Sequence, residues 1–246
     1  MNIKLNIEFD GTNYSGWQRQ PNALTIQEVI ESKLSKLYDC PIKIMGCART
    51  DAGVHAKEFF INFKIPSSPN IPVSKIPDAL NTLLPQDIRA KKATKTDDKF
   101  HAIFNVKKKT YQYTILNQKT ASVFERNFYY RFIEKLDVKK MQKAGEYLIG
   151  KHDFTAFCSE PETKYTCIRT IFDLQIKKRK NYITINLTAN GFLYNMVRII
   201  VGTLIEVGRD KIKPTDIKKI LLSKNRNLAG PTVPAKGLCL LKVYYK

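Results

Sequence analysis

The sequence predicts an α+β fold built from two halves that share one order of elements: strand, helix, strand, strand, helix, strand. Several short runs place apolar residues at every second position, which is typical of strands with one buried face. Other runs place them three or four residues apart, as amphipathic helices do. The same order of runs occurs before and after Asn105. We therefore expect two halves related by a pseudo-twofold, with a mixed, mostly antiparallel sheet and a central cleft.

The N-terminal half, residues 1–105, contains four predicted strands and two predicted helices. Ile3, Leu5, Ile7 and Phe9 alternate with polar residues in the first strand. The stretch Thr25–Glu28 is a capping box that opens the first helix. The elements that follow are strands at 42–47 and 59–65, a loop at 66–72, a helix at 73–84 and a strand at 88–93. This βαββαβ order is that of a ferredoxin-like unit.

The C-terminal half, residues 106–246, repeats this order with additional helical residues. Its predicted elements are a strand at 107–116, a helix at 137–148, a hairpin of 167–177 and 182–189, helices at 192–207 and 214–222, and a closing strand at 235–244. The hairpin turn at 177–181 is strongly basic, and we interpret it as a solvated hairpin end. We predict a second ferredoxin-like half, joined to the first without a flexible linker.

The composition favours a polyanionic partner. The 246 residues include 42 Lys and Arg against 22 Asp and Glu, which gives a formal net charge of +20. Nucleic acid is the first candidate partner, and an anionic membrane surface is the second. A Lys-rich proteome would raise the charge in the same way, so the charge alone does not establish a function.

The sequence disfavours several classes of protein. Five cysteines without a CxxC pair argue against a disulfide framework and a zinc site, and there is no HExxH, P-loop or GxGxxG motif. Met1 leads directly into a strand pattern, so we expect no signal peptide. No apolar run has the length of a membrane span. We therefore predict a cytoplasmic protein without a metal site.

The loop 46–56 is the first candidate for chemistry. It connects two predicted strands and carries Arg49 and Asp51 two positions apart. A loop that presents a carboxylate from a rigid sheet is a common place for catalysis. The alternative is that Asp51 caps a turn and that Arg49 is its solvated partner, since Asp is frequent in turns.

Arg198 and Tyr111 are the candidates from the second half. Arg198 lies in a strongly apolar predicted helix, where a guanidinium needs an anionic partner, and Asp51 is the candidate. Alternatively, the Arg198 side chain extends to solvent. Tyr111 follows three lysines at the start of a strand. Core packing is one interpretation of this tyrosine, and stacking on a base is the other.

Two further features have open interpretations. The loop 14–21 contains Trp17, the only tryptophan. It is either a surface loop with an aromatic plug or a loop that faces RNA. His55 and His101 have no Ser or Cys nucleophile at a recognisable spacing, so we interpret both histidines as structural or RNA-adjacent.

Five stretches of the chain form a combined pattern. They are Phe9–Gln20 with Thr25–Glu28, Arg49–Ala56, Lys109–Tyr113, Gly191–Arg198 with Gly202, and Ala229–Leu238. In this order they resemble the motifs of the tRNA pseudouridine synthase A (TruA) family, and the resemblance spans nearly the whole chain. Two positions depart from it: Ala48 stands where the family usually has Gly, and Ile103 where it commonly has Arg.

The resemblance implies conversion of uridines at positions 38, 39 and 40 of the tRNA anticodon stem-loop to pseudouridine, without metal or cofactor. It assigns catalysis to Asp51, as the nucleophile or as a base on the ribose. Arg49 and Arg198 would keep Asp51 ionised, and Tyr111 would stack on the target uracil. It also implies a homodimer with tRNA lying across both subunits. The competing hypothesis is a non-catalytic RNA-binding module, and a membrane binder is disfavoured because no basic amphipathic helix is evident.

Overall fold

The computed structural model describes residues 1–65, 71–160 and 166–245. The loop predicted at 66–72 lies mostly outside these residues. The chain divides into two compact units, one formed by 1–107 with 240–246 and the other by 108–239. Within the described part of the chain, no helix combines the length and the apolar content that a bilayer span requires.

The first unit has the predicted βαββαβ order. Its elements are β1 (Asn2–Phe9), α1 (Ile26–Tyr38), β2 (Ile44–Gly46), β3 (His55–Lys64), a 3-10 turn (Val73–Lys75), α2 (Ile76–Asn81) and β4 (Ile88–Thr96). The strands lie in the order β4-β1-β3, with β2 also on β3, and every pair is antiparallel. This is the arrangement of a ferredoxin-like sheet, so the α+β prediction is confirmed here.

Local sequence explains where these elements begin and end. Ile3, Leu5 and Ile7 are fully buried on one face of β1. The Thr25 side chain accepts a hydrogen bond from the Glu28 N–H and so caps α1. The helix predicted at 73–84 is α-helical only over Ile76–Asn81, and near its start Pro77 has no N–H to donate to the Val73 carbonyl. The 3-10 turn and α2 are therefore separate elements.

The second unit is also mostly antiparallel. Its elements are β5 (Lys108–Leu116), β6 (Tyr130–Arg131), α3 (Val138–Glu146), β7 (Gly150–Asp153), β8 (Ile168–Arg179), β9 (Tyr182–Ala189), α4 (Met196–Gly208) and α5 (Asp216–Ser223), with 3-10 turns at Thr155–Phe157, Arg226–Leu228 and Ala235–Gly237. The strand order is β5-β9-β8-β7, and β6 is parallel to β5. The short strands β6 and β7 were not predicted.

Several predicted boundaries in this part of the chain are wrong. The helix expected from Phe192 begins at Met196, because Asn195 has a left-handed backbone with φ of 59°. The strand β8 continues to Arg179, so the hairpin turn contains only Lys180 and Asn181. The closing strand β10 is Leu238–Tyr244 and follows a 3-10 turn.

The closing strand completes the first unit. It lies beside β3. The Val243 N–H donates to Glu58 Oε1 at 2.9 Å, and the Tyr245 hydroxyl donates to the Ala102 carbonyl at 2.7 Å. The last seven residues therefore group with residues 1–107. Whether 1–105 and 106–246 behave as separate domains stays a prediction.

Candidate active site

The Asp51 loop runs from the end of β2 to the start of β3. Asp51 is half-buried, Arg49 is exposed and Thr50 is buried. The Val54 N–H donates to the Asp51 carbonyl at 3.2 Å, which closes a tight turn after the carboxylate. The loop therefore presents Asp51 between an exposed cation and a closed turn.

The segment 11–17 holds the backbone on both sides of Asp51. The Trp17 N–H donates to the Thr50 carbonyl at 3.0 Å, and the Gly53 N–H donates to the Tyr14 carbonyl at 3.3 Å. Gly16 has φ of +88°, and a Cβ added there would lie 2.5 Å from the Thr50 carbonyl oxygen. Glycine is needed at this position both for its backbone angle and for this close approach.

The Trp17 ring supports the aromatic-plug interpretation of the loop 14–21. It is 3% exposed, and its centroid lies 4.2 Å from the Phe59 ring. The neighbouring Arg19 pairs with Glu28 at 3.3 Å and approaches Glu31 at 3.6 Å. The Trp17 ring is therefore not available to stack on a base, because it belongs to the core, and a role of the exposed residues 18–20 of this loop at RNA stays a prediction.

The groups around the start of β3 also fix this loop. The Nδ1 atom of buried His55 lies 3.1 Å from the Gly11 amide nitrogen and 3.0 Å from Asp10 Oδ1. The Tyr14 hydroxyl donates to Asp87 Oδ1 at 2.6 Å. Burial raises the pKa of Tyr14, and the hydrogen bond to Asp87 raises it further. Tyr14 therefore stays a hydrogen-bond donor, and His55 has a structural position.

His101 lies on another loop of the first unit. Its ring is half-buried and stacks on Phe104 at 4.2 Å, and its Nδ1 accepts from the Ile103 N–H at 3.3 Å. The Ile103 side chain is 36% exposed. These contacts place His101 in a local turn of the loop.

Arg198 is fixed in the first turn of α4. Its Nε donates to the Val233 carbonyl at 2.8 Å, and its Nη1 donates to Asn195 Oδ1 at 2.7 Å. The side chain is half-buried. The alternative in which Arg198 simply extends to solvent is therefore wrong, because two acceptors from different segments hold the guanidinium.

Asn195 has a role at this site that the sequence pattern did not reveal. An asparagine before the first helical residue usually accepts a hydrogen bond from the backbone of the first turn. Asn195 makes no such bond. Its Oδ1 accepts from Arg198, and its Nδ2 donates to Ser159 Oγ at 3.0 Å. The residue before α4 thus holds the arginine instead of capping the helix.

Residues 226–234 form a segment that we call the C-terminal strap. Arg226 donates to the Gly230 carbonyl at 2.9 Å and to Thr232 Oγ1 at 3.1 Å. The Gly230 N–H donates to Thr203 Oγ1 at 2.8 Å, which binds the strap to α4. Val233, which accepts from Arg198, belongs to the same strap. Arg226 was missed in the sequence because the half-buried position of its guanidinium depends on this tertiary packing.

Tyr111 lies on the core-facing side of β5. It is 7% exposed, and its ring meets the Phe192 ring edge-on at 5.1 Å. Two residues on, Tyr113 is fully buried and donates from its hydroxyl to the Pro234 carbonyl at 2.7 Å. Burial raises the pKa of Tyr113. Core packing is thus part of the Tyr111 environment, and its stacking on a base stays a prediction.

Each of the two compact units contains two of the four predicted site residues. Arg49 and Asp51 lie in the first unit, and Tyr111 and Arg198 lie in the second. Across the residues that the structure describes, no group of three or more His, Cys, Asp or Glu side chains is placed to hold a metal ion. The Asp51 carboxylate lies on a loop whose backbone is held by hydrogen bonds on both sides of it.

Comparison with known proteins gives a consistent result over the full length of the chain. A family model described as tRNA pseudouridine synthase matches residues 6–105 and 144–246. The chain is 47% identical over 244 residues to tRNA pseudouridine synthase A of Clostridium acetobutylicum, covering 99% of both proteins. It is 49% identical over 244 residues to the Clostridium kluyveri protein of the same name, again covering 99% of each. With the tRNA pseudouridine synthase A of Bacillus pumilus it shares 44% identity over 247 residues, 100% of this chain and 99% of that protein. The chain therefore belongs to the tRNA pseudouridine synthase family, a family of isomerases.

Proposed function

We propose that this chain isomerises uridines at positions 38, 39 and 40 of the tRNA anticodon stem-loop to pseudouridine. The observation that carries the proposal is Asp51, a half-buried carboxylate on a loop held from both sides. The names of full-length relatives support tRNA as the substrate. The three positions rest on the motif resemblance, because the names of the relatives do not specify them.

The reaction needs one reactive group and a protected site. The bond between N1 of the base and C1′ of the ribose breaks, the uracil turns, and C5 bonds to C1′. The proton on C5 is lost and N1 gains one, so the product is an isomer of the substrate. Because nothing is hydrolysed, water must be excluded, and the target nucleotide must first leave its stack. In the proposal, Asp51 attacks C1′ or removes a ribose proton.

The other three residues would assist Asp51. Arg49 and Arg198 would offset the negative charge of the carboxylate and of nearby phosphates. Tyr111 would stack on the target uracil. Its edge contact with Phe192 means that a bound base would have to share this position with the Phe192 ring or displace it.

The direct test is a map of pseudouridine in unmodified tRNA after treatment with the purified protein. We expect pseudouridine at 38, 39 or 40 wherever the tRNA has uridine there, with no added metal or cofactor. Modification at other positions only would contradict the assignment of the substrate site. Stoichiometric tRNA binding without any pseudouridine would favour the non-catalytic RNA-binding module.

We also propose that the protein acts in the cytoplasm as a homodimer, with tRNA lying across both subunits. The support for this is the family resemblance, together with a net charge of +20 that suits a polyanion. Light scattering of the purified protein gives its molar mass directly. The mass of a single 28.3 kDa chain at working concentration would contradict the dimer.

Asn195→Gly is expected to lower turnover about tenfold or more, with a smaller change in KM for tRNA. A hydrogen bond to a charged group contributes about 1.5–3 kcal/mol, and each 1.4 kcal/mol is about tenfold in rate. Glycine accepts the left-handed backbone of this position, where φ is 59°, so the loss reports on the side chain. The measurement is steady-state pseudouridine formation against tRNA concentration.

Two matched variants separate positioning of Arg198 from general disruption. Asn195→Asp keeps the oxygen that accepts from Arg198 but adds a negative charge beside the guanidinium, so it should recover only part of the turnover. Ser159→Ala removes only the bond to Asn195 Nδ2 and should have an intermediate effect. Turnover in Asn195→Gly equal to that of the parent would show that the acceptor is not what matters.

A further inference from the structure

Seven cationic residues lie on two segments that meet at one end of the second unit, the hairpin end of β8 and the segment 117–131. We call them the basic tip: Lys119, Arg126, Arg131, Lys177, Lys178, Arg179 and Lys180, all of them exposed. In the sequence only the basic run 177–180 is evident, and such a run by itself is typical of a solvated hairpin end. The other three residues precede the hairpin by about fifty positions and join it only in the folded chain.

Hydrogen bonds hold the segment 117–131 against the hairpin. The Asn117 N–H donates to the Asn181 carbonyl at 2.8 Å, and Asn181 Nδ2 donates to Gln118 Oε1 at 2.5 Å. The Arg131 Nη1 donates to the Lys119 carbonyl at 3.2 Å, and β6 pairs Arg131 with Leu116 of β5. These hydrogen bonds therefore fix the backbone of the two segments that carry the cations of the basic tip.

The basic tip carries more positive charge than its surroundings neutralise. Among the ion pairs of the described residues, none includes any of these seven side chains. Glu125 is the one carboxylate of the segment 117–131, so it offsets one of these seven charges, and its Oε2 accepts from the Tyr182 hydroxyl at 2.8 Å. Elsewhere exposed cations do pair, as Lys91 with Glu8 at 2.8 Å and Lys224 with Asp153 at 2.9 Å.

Such an excess costs stability through repulsion unless a polyanion binds there. Most of the seven side chains are lysines, which are flexible point charges that bind phosphates without reading bases. Leu116 pairs with Tyr182 at the hairpin, and Tyr111 lies five residues earlier on β5, so the two places are about 17 Å apart along the strand. That separation is too large for one nucleotide to reach both.

We propose that the basic tip is a second tRNA-binding surface, which binds backbone phosphates away from the target uridine. This inference rests on the proposed function for its RNA substrate. The basic tip contributes to affinity and to the approach of tRNA, and it does not take part in the chemical step. Removing its charge should therefore change KM and leave turnover at saturating tRNA unaltered.

The test is the four-residue variant Lys177→Gln, Lys178→Gln, Arg179→Gln and Lys180→Asn in the full chain. Asparagine is chosen for Lys180 because this residue has φ of 53°, which Asn tolerates. The matched control removes four exposed lysines that form no ion pair in the described chain: Lys36→Gln, Lys139→Gln, Lys143→Gln and Lys151→Gln. Both variants lose the same net charge.

We expect the basic-tip variant to raise KM and Kd for tRNA about tenfold relative to the control, with turnover within about twofold of the parent. The slope of log affinity against log salt should fall by about 0.7–0.9 for each phosphate that the variant no longer neutralises. Equal affinity and salt slope in the two variants would overturn the inference, even if the basic tip then proves to bind an acidic protein. If the parent protein itself forms no pseudouridine, the proposed function is wrong. The comparison of tRNA affinity between the two variants then still tests whether the basic tip binds tRNA.

Discussion

Asp51→Asn is expected to abolish pseudouridine formation, with a loss of roughly 10⁴-fold or more, while tRNA affinity stays close to that of the parent. Losses of this size are usual when a group that acts in the transition state is removed. The amide has nearly the volume of the carboxylate but cannot attack C1′ or accept a proton at the required step. The loop should keep its shape, because the bonds from Trp17 to Thr50 and from Gly53 to Tyr14 use only backbone atoms.

Pseudouridine formation and tRNA binding must be measured on the same preparations. Asp98→Asn is the matched control, since Asp98 is an exposed aspartate of the same unit. It should retain full activity. If Asp51→Asn keeps activity within tenfold of the parent, Asp51 does not take part in the chemistry. Equal loss of binding and of activity would instead assign Asp51 to structure, as the turn-capping alternative requires.

Gly202→Ala is expected to destabilise the protein by about 2 kcal/mol, although alanine is the better helix former. Helix propensity alone would favour alanine by about 1 kcal/mol inside α4. The added Cβ, however, would lie 1.8 Å from the Pro231 carbonyl oxygen, far inside van der Waals distance. Overpacking typically costs about 1–3 kcal/mol, and we expect the upper end of this range because the neighbour is backbone. The steric cost therefore outweighs the gain in propensity.

Relief of this clash would move the C-terminal strap away from α4. Val233 would then withdraw its carbonyl from Arg198 Nε, so turnover should fall together with stability. Thermal unfolding should show a midpoint lower by about 4–8 °C for a chain of this size.

Gly145→Ala is the matched control for this prediction. Its added Cβ also meets a close neighbour, at 2.7 Å, but that neighbour is the Cδ2 methyl of Leu174, which can rotate aside. The change should be near neutral or slightly stabilising. Equal unfolding midpoints for Gly202→Ala and the parent would contradict this prediction, because the C-terminal strap would then move aside at no cost in stability.

The sequence predicted most of the fold because local signals agreed with each other. The alternation of Ile3, Leu5 and Ile7 and the capping residue Thr25 both describe elements that form as expected. The predicted helix boundaries were wrong where the backbone of a single residue prevailed over the apolar periodicity. Pro77 divided one predicted helix, and the left-handed backbone of Asn195 delayed the start of another. Apolar periodicity carries no information about either effect.

The candidate site was predictable only in part, for a physical reason. A motif identifies side chains, and Asp51, Arg49, Tyr111 and Arg198 were chosen in that way. It does not identify the groups that orient them, because these come from distant segments. In the folded chain the Val233 carbonyl accepts directly from Arg198, and Ser159 holds Asn195, which in turn accepts from Arg198. Neither contact is evident in the sequence. Trp17 was ambiguous for the same reason, since its burial depends on Phe59.

The position of β10 beside β3 bears on how the protein is made. Residues 240–245 leave the ribosome after the whole of 108–239, yet they belong to the first unit. Until then the part of this β3 edge that β2 does not cover lacks its final neighbour, and such an edge invites pairing with other nascent chains. A ribosome that stalls shortly before codon 240 would leave an N-terminal unit that is nearly folded and unusually prone to aggregate.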